Sequence, residues 1–322
     1  MRFAKWQGLG NDYIILEEDV LPGMPSPSQT ALLCDRHFGV GADGLLIHCR
    51  PTGIVEGAVA RMRIFNPDGS EPEMCGNGIR MFARYLQERG VIGAGEAVIE
   101  TLAGPIRPQV LTDGRVRVHM GVARLKSAAI DATAWEPIDE VVARDLEVDG
   151  ASYRFTFVDV GNPHCVIPVD DVGSVSIEEI GPRIETHPIF PRRTNVEFIR
   201  PEADGLVTMR VWERGVGETQ ACGTGATAVG VAAVRLGLAT SPVTVHLPGG
   251  TLEIEVADDL QVVKTGSAEA VFTGELSRRM LDRLGWAAQE QETVRGNGAG
   301  DLSPRRPAGL GCRSSMDQLK EV

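Results

Sequence analysis

The chain has 322 residues, enough for about two domains at roughly 150 residues each. A net charge of −12 excludes a general attraction to nucleic acid or to an anionic membrane surface, and 43% hydrophobic residues exclude wholesale disorder. With 38 glycines and only 5% aromatics, a sheet-rich, turn-rich fold is expected.

From the N-terminus, Met1–Gly8 lacks the apolar core of a signal peptide. The pattern predicts strands over Tyr13–Leu16, Leu45–His48, Ala60–Phe65, Ala97–Thr101 and Val116–Met120, and helices over Gln29–Phe38 and Gly78–Gln87. A domain change is expected near Gly121. Strands follow over Tyr153–Val158, Cys165–Val169, Asn195–Ile199, Leu206–Trp212, Val243–Leu247 and Thr251–Val256, with helices over Glu178–Glu185 and Thr224–Leu236. The longest apolar stretch, Ala226–Ala233, is far short of a membrane span. A strand near Leu260–Lys264 corresponds to Val116–Met120, and a last strand, Glu269–Gly274, is expected to cross back to the first half. The expected halves are 1–121 plus 266–276, and 122–265. From about Ala287 the chain turns polar and rich in Gly, Pro and Arg, and 287–322 reads as a largely disordered tail.

The chain repeats itself. Arg63-Ile64-Phe65-Asn66 lies over Arg210-Val211-Trp212-Glu213, and at the same offset Cys75-Gly76-Asn77-Gly78 lies over Cys222-Gly223-Thr224-Gly225. Gly10-Asn11 upstream matches Gly161-Asn162, and Val98–Gly104 downstream matches Val243–Gly249. Several matches in one order point to duplication.

Each Cys-Gly-X-Gly loop opens a helix. The positive end of the backbone dipole there favours a thiolate, so both thiols are expected to have lowered pKa values. The glycines let N–H groups converge into a cradle for a carboxylate. Two such halves facing across a pseudo-twofold axis would set two sulfurs on opposite sides of one carbon. Racemising an α-carbon needs that arrangement: one group removes the hydrogen and the other returns a proton to the opposite face. No lysine motif suggests pyridoxal phosphate, and the cysteines lack zinc spacing, so neither cofactor nor metal is expected.

The remaining cysteines read differently. Cys34, Cys49 and Cys165 stand in or beside apolar stretches and read as small core residues, and Cys312 as incidental. Six cysteines are too sparse for a disulfide scaffold, which suggests reduced thiols and a cytoplasmic protein. Gly39-Val40-Gly41-Ala42-Asp43-Gly44 fits a dinucleotide-binding glycine pattern, but a helix precedes it and a strand follows, the reverse of the required order. It reads as a tight loop. Asn11, Asn66, Asn162 and Asn195 stand at strand ends or loops and suggest a polar pocket. Glu213-Arg214 breaks the repeat where Asn66-Pro67 stands in the first copy, so that pair could hold a substrate's far end, Arg214 taking a carboxylate and Glu213 an ammonium. His164 could tune a nearby thiol.

Taken in order, Gly8–Asp12, Phe65–Ser70, Met74–Arg80, Gly161–His164, Thr194–Glu197, Trp212–Thr219 and Ala221–Gly225 resemble diaminopimelate epimerases over about residues 1–276. The related proline racemases typically have His where Asn77 stands. The resemblance implies an α/β fold of two pseudo-symmetric domains, each a barrel-like, mostly antiparallel sheet wrapped around a central helix. It implies a cofactor-independent, cytoplasmic isomerase converting LL- to meso-diaminopimelate for lysine and peptidoglycan precursors. Cys75 and Cys222 would be proton donor and acceptor. Gly76-Asn77 and Gly223-Thr224 would hold the reacting carboxylate end. Asn11, Asn66, Asn162, Asn195, Glu213 and Arg214 would fix the substrate, mostly its distal end. His164 and Glu213 would tune the thiols. Two departures stand out. Gly44 replaces the Gln of some members, and Phe272 replaces a Tyr that helps many members form homodimers. A homodimer is still expected.

Overall fold

The computed structural model describes residues 1–287. The tail assigned to 287–322 lies outside the described residues beyond Ala287, as does Cys312. The first half runs β1 (Arg2–Gly8), β2 (Asn11–Glu17), α1 (Pro27–Cys34), β3 (Leu45–Cys49), β4 (Ala58–Phe65), α2 (Gly78–Glu88), β5 (Gly95–Glu96), β6 (Val98–Thr101), β7 (Gly104–Ile106), β8 (Gln109–Val110) and β9 (Val116–Val122). The second runs β10 (Arg144–Val148), β11 (Ala151–Asp159), β12 (Pro163–Pro168), α3 (Ile177–Glu185), β13 (Asn195–Pro201), β14 (Leu206–Glu213), β15 (Gly217–Thr219), α4 (Gly223–Arg235), β16 (Val243–Leu247), β17 (Gly250–Val256) and β18 (Gln261–Gly266). β19 (Glu269–Glu275) and α5 (Arg278–Leu284) follow.

Strand pairing shows the duplication directly. In the first sheet β1, β2, β3, β4, β6 and β7 lie in that order, paired antiparallel, parallel, antiparallel, parallel, antiparallel. In the second, β11, β12, β13, β14, β16 and β17 repeat the same alternation. β10 flanks β11 as β19 flanks β1. β9 and β18, the strands that correspond between the halves, pair antiparallel with each other, which makes the second sheet continuous across the junction.

Each sheet wraps one helix. α2 is buried nearly all round: Ile79, Met81, Phe82, Ala83 and Leu86 have essentially no exposure, as expected of a helix enclosed by strands. α4 reaches the same position with small residues, Gly-Thr-Gly-Ala-Thr-Ala-Val-Gly-Val-Ala-Ala-Val. At Gly230 a Cβ would stand 2.5 Å from Ile254 Cγ2 of β17, so the close helix–sheet approach requires glycine there. A third core lies under α3 against β11–β13, and a fourth joins α1 and α5 to β2 and β3.

Two expectations change. The first helix begins on a Ser26–Gln29 capping box with Pro27 in its first turn. It ends at Cys34 rather than Phe38, because the Asp35 carboxylate accepts the N–H groups of His37 and Phe38 and turns the chain. The N-terminal stretch, to which no strand was assigned, is β1. Ala4, Lys5 and Trp6 are all buried, so a strand covered on both faces shows no alternation. No helix among the described residues is long and apolar enough to cross a membrane.

Candidate active site

The two Cys-Gly-X-Gly loops adopt one geometry. Cys75 Sγ accepts the N–H of Gly78 at 3.3 Å, and Cys222 Sγ accepts the N–H of Gly225 at 3.3 Å. The cysteine carbonyls accept from Ile79 and Ala226 at 3.0 and 2.9 Å. Each sulfur thus occupies a donor left open at a helix start, and Cys222 is the N-cap of α4.

The loops also meet. A Cβ on Gly223 would stand 3.0 Å from Asn77 Oδ1 of the other loop. It would stand 2.6 Å from Lys264 Nζ, and a Cβ on Gly76 would stand at the same 2.6 Å. The end of the Lys264 side chain thus lies against both glycines.

Asn77 ties the first loop to β2 and to its own helix. Its amide donates to Asn11 Oδ1 at 3.3 Å, and its Oδ1 accepts from Arg80 Nη1 at 3.0 Å. Asn11 donates in turn to Asp43 at 2.9 Å, and Arg36 bridges Asp43 and Asp12. Burial would raise the Asp12 carboxyl, but hydrogen bonds from Arg36 and Lys5 outweigh it and hold the group down at about 2.

The second loop has its own frame. Asn162 donates to Thr224 Oγ1 at 3.3 Å, and Thr224 Oγ1 lies 3.5 Å from Cys222 Sγ. His164, fully buried, joins Glu197 through Nδ1 at 2.6 Å and Asn162 through Nε2 at 3.1 Å. Glu197 lies under Gly225, where a Cβ would stand 2.9 Å from its Oε1. His164 thus bears on Cys222 through neighbours. Asn195 accepts the Arg214 N–H at 2.9 Å and donates to the Pro163 carbonyl, pinning the turn that carries Glu213 and Arg214. The exposed Arg214 guanidinium donates to the Arg192 carbonyl at 3.1 Å. Asn66 stands apart: its side chain bonds only Ser70, within its own turn.

At Cys222 the expected lowering is overturned. Burial pushes this thiol well above its ordinary value, and the negative charges of Glu213 and Glu197 push it further. The Thr224 hydroxyl and the Gly225 N–H act the other way and lose. Desolvation of a fully enclosed sulfur outweighs one helix end.

Several site residues carried no role in the sequence analysis. Tyr13 places its hydroxyl 3.5 Å from Cys75 Sγ. Burial, then Cys75 and the Asp43 and Glu213 charges, raise this phenol, so it stays protonated. Its ring fills the space beside Gly44, where a Cβ would stand 2.7 Å from Tyr13 Cε1. Arg80 and Lys264 are fully buried cations. The usable signal was a lone charge inside an apolar run, Val262-Val263-Lys264 in β18 and Gly78-Ile79-Arg80-Met81-Phe82 in α2. Phe272 lies away from this site on the exposed face of β19, edge-on to Phe3 at 5.9 Å. Among the described residues no three His, Cys, Asp or Glu side chains gather to hold a metal.

This two-half fold is shared with solved racemases and epimerases. A probable proline racemase from Agrobacterium radiobacter superposes with a TM-score of 0.59 at 16% identity, covering 86% of this chain and 92% of that one. A phenazine biosynthesis protein of the PhzF family from Bacillus anthracis gives 0.61 at 18% identity, over 86% and 99% of the two chains. At these identities the likeness is one of fold.

Sequence narrows the class. The chain belongs to the diaminopimelate epimerase family, whose model matches residues 3–126 and 156–271, and is thereby an isomerase. It is 50% identical over 287 residues to the diaminopimelate epimerase of Pelotomaculum thermopropionicum, covering 87% of this chain and 100% of that protein. It is 47% identical over 282 residues to that of a Cyanothece species, covering 86% and 99%.

Proposed function

We propose that the protein interconverts LL- and meso-diaminopimelate without a cofactor, with Cys75 and Cys222 as acid and base on opposite faces of the α-carbon. The matched seating of the two sulfurs, each under an i+3 N–H at 3.3 Å in loops that touch, carries this reading. An α-hydrogen is removed only if the carbanion is stabilised as it forms. The paired helix starts at Gly76-Asn77 and Gly223-Thr224 offer backbone donors to the carboxylate onto which that charge spreads. In one direction Cys75 delivers the proton and Cys222 accepts it; the reverse reaction exchanges the roles, and the buried Cys222, whose proton is held by its surroundings, is then the donor.

Asn11, Asn66, Asn162, Asn195, Glu213 and Arg214 hold the rest of the substrate. Arg214 suits the distal carboxylate and Glu213 the distal ammonium. His164, through Glu197 and Asn162, and Glu213 directly, tune Cys222. We assign 1–121 with 266–276 to one domain and 122–265 to the other, and the substrate to the junction between them. The exposed outer strand β19, with Val271 and Phe272, supports a homodimer formed through that edge. Production of a lysine and peptidoglycan precursor suits a cytoplasmic enzyme with free thiols.

The test is deuterium uptake from heavy water at the α-carbon of diaminopimelate. The wild-type chain should incorporate label, and Cys75→Ser and Cys222→Ser should each lose nearly all of it while keeping their fold. Full activity in either variant, or preference for an amino acid with one carboxylate, defeats the reading.

A further inference from the structure

One buried charge at the junction has no place in that scheme. Lys264 stands in β18 opposite Ile254 of β17 and Val118 of β9. Directly opposed residues share a face. Ile254 packs on α4 and Val118 belongs to the core around α2, so Lys264 is carried inward to the line where the halves join. Its side chain has 0% exposure, and its Nζ has no hydrogen-bond partner among the described residues. An ammonium held like this is costly unless a negative charge answers it.

The groups around it identify that charge. Nζ approaches Gly76 and Gly223 equally, the residues that follow the two cysteines. Two helix starts point their positive ends at the same place. Arg80 of α2 adds a second buried cation, with Nη2 unpartnered. Burial and then Arg80 pull Lys264 down to about 7, and the groups that pull it up are Cys75 and Cys222. Glu213 and Glu197 bear on Cys222, and Tyr13 bonds Cys75. Val118, directly opposite Lys264 across the β9–β18 pair, stands at the equivalent place in the first half, so the single lysine lies where the two halves are related.

We infer that Lys264 is the shared counter-charge of the cysteine pair, favouring the thiolate on whichever sulfur carries it. The inference rests on the proposed acid–base roles of Cys75 and Cys222. A pair that exchanges thiol and thiolate in each turnover carries one negative charge in either direction. A cation set against one loop would favour one state, whereas one set equally between both loops serves the two. Lys264 is then a positioning residue that acts through the sulfurs as an ammonium and does not itself transfer a proton.

The test reads the sulfurs directly. In Cys75→Ser and Cys222→Ser backgrounds, the pH dependence of iodoacetamide alkylation reports the remaining thiol, with the modified residue located by peptide mass. Adding Lys264→Met should move that profile upward by about one pH unit or more in both backgrounds. In the otherwise wild-type chain it should slow deuterium uptake on the order of tenfold, as one unit of thiol pKa would, with the melting temperature unchanged or raised. Lys264→Gln gives the same readings should the Met variant fold poorly. A profile that moves in neither background, or in only one, overturns the inference. A raised inhibition constant for a diaminopimelate analogue with unmoved profiles also overturns it, and gives Lys264 to the substrate carboxylate. Absent label uptake in the wild-type chain would instead defeat the epimerase reading, and the alkylation profiles would still decide the role of Lys264.

Discussion

A carboxylate beside a thiol holds the proton on it. Glu213 does this to Cys222, second only to burial, and Glu197 adds to it. Glu213→Gln removes one negative charge and leaves the burial in place. The Cys222 alkylation profile in a Cys75→Ser background should therefore shift to lower pH, by on the order of half to one unit. A shift the other way, or none, would mean that Glu213 does not hold the proton on Cys222. At this scale the sequence was informative where residues recur. Asn11, Asn162 and Asn195 gather at the loops their motifs bracket. Asn66 is held by a bond to Ser70 within its own Pro-Asp-Gly turn. Lys264 left only a faint signal, a lone charge after Val262-Val263. A lysine in a strand is normally at a surface, and only the pairing of β18 between β17 and β9 turns it inward.

Elements were legible where an apolar or β-branched run is bounded by turn residues, as in β12 and β13. Most strands with clear alternation fell within a residue or two of their predicted ends. β1 was missed because its two faces are both buried, and α5 because seven residues give little periodicity. α4 shows what its composition is for. Its glycines and β-branched residues look like weak helix propensity, yet at Gly230 the helix backbone comes so close to β17 that a Cβ would stand 2.5 Å from Ile254 Cγ2 and 2.7 Å from Ile254 Cβ. Gly230→Ala should gain helix propensity and lose more to overpacking, a net destabilisation of about 1–3 kcal/mol by urea unfolding. A more stable variant would show that β17 yields without strain.

For the whole molecule, the ordered repeat of motifs became a repeat of strand pairing, including every parallel and antiparallel step. What the sequence could not reveal is how the copies join, because β9 pairing with β18 is a contact between segments more than a hundred residues apart. The outer edge of β19 is the open end of the first sheet, and Val271 and Phe272 are about half exposed on it. An apolar strand edge of this kind is a template for another chain. Phe272→Lys should shift the proposed dimer toward monomer in sedimentation velocity, with reduced label uptake. A dimer that persists with unchanged affinity would place the contact elsewhere.

The closing strand also bears on how the protein is made. The first sheet has β1 as its second member, yet the partner of β1 on the outer side is β19, near residue 270. During synthesis the earliest strand must wait until almost all of the described chain has left the ribosome. A fragment cut after residue 121 would lack that partner and would leave β9 without β18, so neither piece should be a self-sufficient folding unit.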